Sequence, residues 1–220
     1  MHRLAGSIAI DDLLAAMKST RAVFHSEADF QHHLAWQAHL LDPQLQVRLE
    51  FRPDAGIRES VDVMLVRPDL GMATFIELKY LKAAWSGLVS SEQFDLPNTG
   101  AHDIVRYDVI KDIERLERFV DGRPFSNGLL LCLTNDSLHW REPIGMRATI
   151  AEAFRIHEGS RVHGIRQWDQ RAGAGTTRGR TSPLNLRGQY GLHWLPYSRI
   201  DNGRTGEFRI LAVAVEAGSR

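Results

Sequence analysis

The spacing of apolar and polar positions divides the chain into a succession of distinct elements. Residues 10–18 carry a short apolar period of helical type. A stronger helix opens at Ser26, a good N-cap, with Glu27 and Asp29 in its first turn and Phe30, Leu34, Ala38 and Leu41 along one stripe. Asp42-Pro43 ends it, because a residue before proline is pushed out of the helical region. Three strand-like runs follow. In residues 45–52, Leu45, Val47, Leu49 and Phe51 fall on one side; in residues 60–66, Val61, Val63 and Leu65 alternate with Asp62, Met64 and Val66. Arg67-Pro68-Asp69-Leu70-Gly71 reads as a turn, and residues 73–80 as the third strand. The short connections predict antiparallel pairing.

Residues 82–100, with Gly87, Pro97, Asn98 and Gly100, lack a clean period and read as a long loop. Residues 102–120 predict a helix whose inner face is Val105, Val109, Ile113, Leu116 and Val120, with Asp108, Lys111, Asp112, Arg115 and Arg118 outside. Asp121-Gly122-Arg123-Pro124 stops it. The apolar run of residues 128–134 predicts a strand covered on both faces. A helix is expected near residues 146–156. Residues 160–188 then gather Arg161, Arg166, Arg171, Arg178, Arg180 and Arg187 against the lone acid Asp169, with many glycines. This reads as a flexible basic loop, either a solvated linker or a segment that tracks a phosphate backbone. Two strands, 189–198 and 207–215, close the pattern around Asn202-Gly203, a strong hairpin signal. Trp194 and Tyr197 lie on that ribbon, where packing is favoured over stacking on bases. The sum is a mixed α/β fold: a central mixed sheet flanked by helices, an αβββαβ core, and a C-terminal helix and β-hairpin. Residues 1–25 form a helical lead-in, 26–136 the core, and 137–220 an extension packed on the same domain.

Composition narrows the class. Apolar residues make up 43% and charged residues 25%, ordinary for a globular chain. No run approaches the roughly 20 apolar residues of a membrane-spanning helix, and the N-terminal residues lack a signal-peptide core. The single cysteine, Cys132, cannot form an internal disulfide, which suits the cytoplasm; within Leu129-Leu130-Leu131-Cys132-Leu133 it reads as a small core residue. Zero net charge weighs against a dedicated nucleic-acid binder. The ten histidines show no local metal-binding spacing and read as packing or surface residues. No glycine-rich nucleotide cradle and no GxSxG motif is present.

The chemistry concentrates in the second and third strands. Glu77 and Lys79 are two apart and share a face, opposite Ile76, Leu78 and Tyr80. A hairpin turning at Asp69 and Leu70 brings Asp62 opposite Glu77. Directly opposed like charges are destabilising, and a bound cation removes that penalty. Two carboxylates with a backbone oxygen are hard donors of the kind Mg²⁺ takes. Lys79 beside them can polarise an attacking water or meet negative charge in the transition state. The plain alternative is an edge strand carrying a solvated Glu77–Lys79 pair worth under about 1 kcal/mol; it leaves Asp62 unexplained.

Asp62 followed by Glu77-Leu78-Lys79, in this order of elements, resembles the PD-(D/E)xK nuclease superfamily over roughly residues 26–135. The resemblance implies that Asp62, Glu77 and the Leu78 carbonyl hold Mg²⁺ or Mn²⁺, and that Lys79 is catalytic. Many members carry an acid on the first core helix, and Glu27 stands in that place as a further metal ligand. The chain departs from the name motif in having Val61 where the motif has proline. The helix after the lysine often adds a polar residue, for which Arg106, Tyr107 and Lys111 are candidates. The implied partner is nucleic acid, DNA ahead of RNA, with Arg106, Lys111, Arg166, Arg178 and Arg180 as contacts. The alternative is a non-catalytic module on the same fold that binds nucleic acid or protein. Residues 137–220 offer a docking surface for a partner protein or a second copy.

Overall fold

The computed structural model describes residues 2–54, 56, 58–144 and 148–217. A two-strand clasp, β1 (Arg3–Leu4) and β2 (Ile8–Ala9), leads into helix α1 (Ile10–Thr20) and helix α2 (Glu27–Leu41). The Ser26 hydroxyl caps α2 by accepting from the Asp29 N–H at 3.1 Å. Then come β3 (Gln46–Phe51), β4 (Val61–Arg67) and β5 (Met72–Leu81), paired as antiparallel neighbours.

Residues 82–100 differ from the expected loop. They contain a hairpin, β6 (Trp85–Val89) against β7 (Glu92–Leu96), turned through Ser90 and Ser91, both at positive φ. Phe94 and Leu96 are buried and anchor it to the α1–α2 side of the core. Helix α3 (His102–Val120) and strand β8 (Ser126–Thr134) follow as the pattern predicts. A short helix α4 (Ser137–Trp140) comes next.

The helix expected near 146–156 is not formed in the described part. Only a 3₁₀ turn at Glu152–Phe154 is present, and residues 146 and 147 lie outside the described residues. Ala151, Phe154 and Ile156 all pack inward, a spacing that suits a tight turn followed by extended chain. The basic stretch is also more ordered than a flexible loop. Strand β9 (Arg161–Arg166) pairs antiparallel with β10 (Leu184–Gly191), and helix α5 (Ala174–Thr177) lies between them. Burial of Val162, Leu184 and Leu186 holds this ribbon on the core while its arginines face outward.

The chain closes with β11 (Trp194–Arg199) and β12 (Glu207–Glu216). The six-stranded sheet runs β11-β12-β8-β5-β4-β3, with β5 and β8 parallel and every other neighbour antiparallel. The C-terminal hairpin is thus part of the central sheet: β12 pairs with β8 from Arg209↔Thr134 to Glu216↔Asn127.

One face of the sheet packs on α1 and α2 through Phe24, Phe30, Leu34, Ile76, Leu78 and Tyr80. The other packs on α3 through Phe75, Ile110, Ile113, Leu116, Leu130 and Cys132. Strand β8 contributes to both layers, which is why its sequence is continuously apolar. Gly128 lets α3 approach: a Cβ there would lie 3.1 Å from the Leu116 Cβ and 3.2 Å from the Val215 Cβ. Trp194 and Tyr197 are buried, as packing residues should be. Among the described residues no helix is long and apolar enough to cross a membrane.

Candidate active site

The β4–β5 ladder runs from Arg67↔Met72 to Val63↔Ile76. One step further along the same register, Asp62 stands opposite Glu77. There the two strands part. Alternate N–H groups of β5 still face the β4 side, and two carboxylates take them. Asp62 Oδ2 accepts from the Leu78 N–H at 2.6 Å, and Glu27 Oε2 accepts from the Tyr80 N–H at 2.8 Å. The capped first turn of α2 delivers Glu27 to this notch. One turn on, buried Gln31 donates to the Asp62 carbonyl at 2.7 Å and to Glu50 Oε1 at 2.9 Å, fixing the backbone under Asp62.

Glu77 and Lys79 project toward α3. Arg115 is ion-paired to Glu77, and Asp112 lies 2.5 Å from Lys79 Nζ and 3.1 Å from Arg115. Glu77, Arg115, Asp112 and Lys79 therefore form a chain of alternating acidic and basic side chains. Lys79 Nζ also donates to the Leu78 carbonyl at 3.1 Å. Glu77 has no exposed surface, and its Oε1 has no hydrogen-bond partner among the described residues.

Burial dominates the electrostatics. It pushes the Glu77 carboxyl up to about 9, aided by Asp112 and opposed by Arg115. Burial also raises Asp62, against the pull of the Leu78 N–H and Lys79. For Lys79, burial favours the neutral amine, but Asp112, Glu27 and Asp62 outweigh it and hold the group above the usual lysine range. Lys79 is thus a protonated donor at neutral pH, and it is unsuited to the role of base.

The remaining candidates separate into two groups. Lys111 is half-exposed on α3 next to Asp112. Arg180 reaches from the β9–β10 loop to within 3.8 Å of Asp108, one turn before Asp112, and Arg178 is exposed on the same loop. The others belong elsewhere. Arg166 is engaged by the backbone carbonyls of His163, Arg161 and Ala153. Arg106 donates to the Leu138 carbonyl at 2.6 Å and lines a cavity of about 460 Å³ with Arg141, Arg155 and Arg204. Tyr107 is buried against Phe154 and Trp168. The α3 groups that do meet Lys79 and Glu77 are Asp112 and Arg115, which the helical period assigned to the outer face. Asp112 is in fact 4% exposed. Its i, i+3 spacing to Arg115, matching the Glu77–Lys79 pair in reverse sign, is the signal that could have found them.

Among the described residues, one set of three or more metal-ligating side chains has all its ligand atoms within 4.8 Å of one another: His102, Asp136 and His139. Glu27, Asp62 and Glu77 do not gather that tightly. No family model, curated protein or solved structure matches the chain.

Proposed function

We propose that the chain is a metal-dependent nuclease of PD-(D/E)xK type, hydrolysing phosphodiester bonds in DNA ahead of RNA. The observation that carries this reading is the convergence of Asp62, Glu77 and Lys79 where β4 and β5 part, with Glu27 fastened to the same strand. The donor set suits Mg²⁺ or Mn²⁺: Glu77 offers a buried oxygen without a hydrogen-bond partner, Asp62 a carboxylate on the facing strand, and Leu78 a carbonyl on the same edge. Glu27 stands ready as a further acid. A bound divalent ion would supply Lewis acidity at the phosphoryl oxygen and acidify a water.

The chain's own groups do the rest. Lys79 places a fixed positive charge beside the reacting phosphate, where negative charge grows in the transition state. Asp112 and Arg115 set the orientation of Lys79 and Glu77. Asp62 and Glu27 hold the β5 backbone, and with it the Leu78 carbonyl, in place. Lys111, Arg178 and Arg180 offer phosphate contacts near the rim. A reducing, cytoplasmic setting suits a chain whose single cysteine, Cys132, has no second cysteine for an internal disulfide.

Incubating the purified chain with Mg²⁺ or Mn²⁺ and single- or double-stranded DNA or RNA tests the reading. Cleavage is expected, and Lys79→Ala and Asp62→Ala should each lower kcat by about 100-fold or more with the circular dichroism spectrum unchanged. Absence of cleavage with every substrate, or full activity in both variants, would overturn it.

A second reading, a non-catalytic nucleic-acid or protein binder, is favoured by one observation: Glu77 and Lys79 are each already compensated by a charge from α3. It predicts no calorimetric Mg²⁺ or Mn²⁺ affinity, and DNA binding that is unchanged by Glu77→Gln.

A further inference from the structure

Beyond the end of β8 the chain folds back on the start of α3. Asp136 caps α4, its Oδ1 accepting from the Leu138 N–H at 3.0 Å, while its Oδ2 lies 2.6 Å from Nε2 of His102, the first residue of α3. His139 brings its ring to 5.2 Å from the His102 ring. His139 is only 2% exposed, and its Nδ1 is buried with no hydrogen-bond partner among the described residues. Native structures leave few such atoms without an explanation, and an absent ion is one of the recognised ones.

We propose that His102, Asp136 and His139 form a binding site for a transition-metal dication, best matched by Zn²⁺, distinct from the oxygen-donor cluster at Asp62 and Glu77. Two imidazoles and a carboxylate are a donor set that Zn²⁺ takes readily and Mg²⁺ does not. The three side chains come from two rigid places, the first turn of α3 and the turn that α4 closes. The Leu138 N–H fixes the second oxygen of Asp136, the outer-shell bond that orients a ligating carboxylate. Zinc–ligand bonds of about 2.0–2.1 Å in a tetrahedron need the His102 and Asp136 donor atoms to part by under about 1 Å, a side-chain adjustment. Three protein ligands leave a fourth position for water or an anion. Arg106, held on the Leu138 carbonyl, is a nearby cation that works against binding, and the Asp136 charge opposes it. Such a site escapes a search for local histidine spacing because its two histidines lie 37 residues apart in sequence.

Calorimetry with Zn²⁺ and visible spectroscopy with Co²⁺, both on the full chain freed of metal, test this. One equivalent should bind at this site, giving the absorption of a four- or five-coordinate Co²⁺ centre and a higher melting temperature with Zn²⁺. His102→Ala and His139→Ala should each weaken binding by about 100-fold or more. Asp136→Asn keeps an N-cap on α4 and removes the charge, so it decides the matter if the histidine variants fail to fold; it should lose the Co²⁺ spectrum and the thermal shift. Asp62→Asn and Glu77→Gln should bind Zn²⁺ as the wild type does, so this result is independent of whether the chain cleaves nucleic acid. The proposal fails if the wild type binds neither ion. It fails equally if Asp136→Asn binds undiminished, or if Asp62→Asn abolishes Zn²⁺ binding while the histidine variants retain it.

Discussion

At Glu77 a carboxylate with no exposed surface sits between one cation, Arg115, and two further acids, Asp112 and Asp62. Its folded pKa, about 9, exceeds the ordinary value of 4.5. Between those values the folded chain holds more proton than the unfolded one, so this group's contribution to stability falls as pH rises through the window. Under the proposed nuclease reading a divalent ion displaces that proton, so Mg²⁺ or Mn²⁺ affinity should climb with pH up to about 9 and then level off. Calorimetry at pH values across that range should show the rise, and Glu77→Gln should weaken binding and flatten it. Arg115→Met leaves Glu77 without its cation, a change that costs up to about 3–5 kcal/mol when the remaining group stays charged. The loss should be larger at pH 10, above the folded Glu77 value of about 9, than at pH 5, where Glu77 is protonated; urea unfolding at the two pH values reads the difference. Asp112 and Arg115 are easily missed in the sequence because charged positions on a helix are read as solvent-facing, and only their spacing against Glu77 and Lys79 sets them apart. Here the helix carries them inward to meet the opposite charges of β5.

The elements themselves were legible where an alternating or helical period met a clear stop signal. Asp62 and Glu77 fell opposite one another because Arg67-Pro68-Asp69-Leu70-Gly71 fixes the turn, and the alternation fixes everything after it. The β6–β7 hairpin was not legible: its strands are short, and Ser86, Gly87, Ser90 and Ser91 dilute the pattern. In β9 and β10 the few buried apolar residues are outnumbered by arginine, asparagine and glycine, so a packed ribbon read as a loop. Glu117 supplies what the sequence pattern lacked, accepting from the Gly188 N–H and the Tyr190 hydroxyl, each at 2.7 Å, and so joining α3 to β10. The close seat of α3 on the sheet also has a test. Gly128→Val puts new atoms against Leu116 and Val215 and should destabilise the fold by about 1–3 kcal/mol, read as a lower urea midpoint with the slope unchanged.

Over the whole molecule, the sequence pattern leaves open the position of the last hairpin. An Asn-Gly turn between two apolar runs specifies a hairpin but not the strand it will lie beside. That partner is β8, and the choice joins the last strand, Glu207–Glu216, to a sheet whose first strand is Gln46–Phe51. A chain cut after residue 136 therefore loses the neighbour on one side of β8 and should show no cooperative thermal transition by calorimetry. The outer strand β11 carries Pro196 and a register shift between Pro196 and Ser198, and the opposite edge, β3, carries Arg48 and Glu50. Both devices discourage another strand from adding on, so edge-to-edge pairing is an unfavourable route to a dimer.

The interior place of β12 also bears on how the protein is made. During translation β8 leaves the ribosome long before β12 exists to cover its hydrogen-bonding edge, so for that interval a row of leucines flanks an unpaired backbone. A nascent chain in that state is sticky, and a chaperone or a slow-folding companion segment has its greatest purchase then.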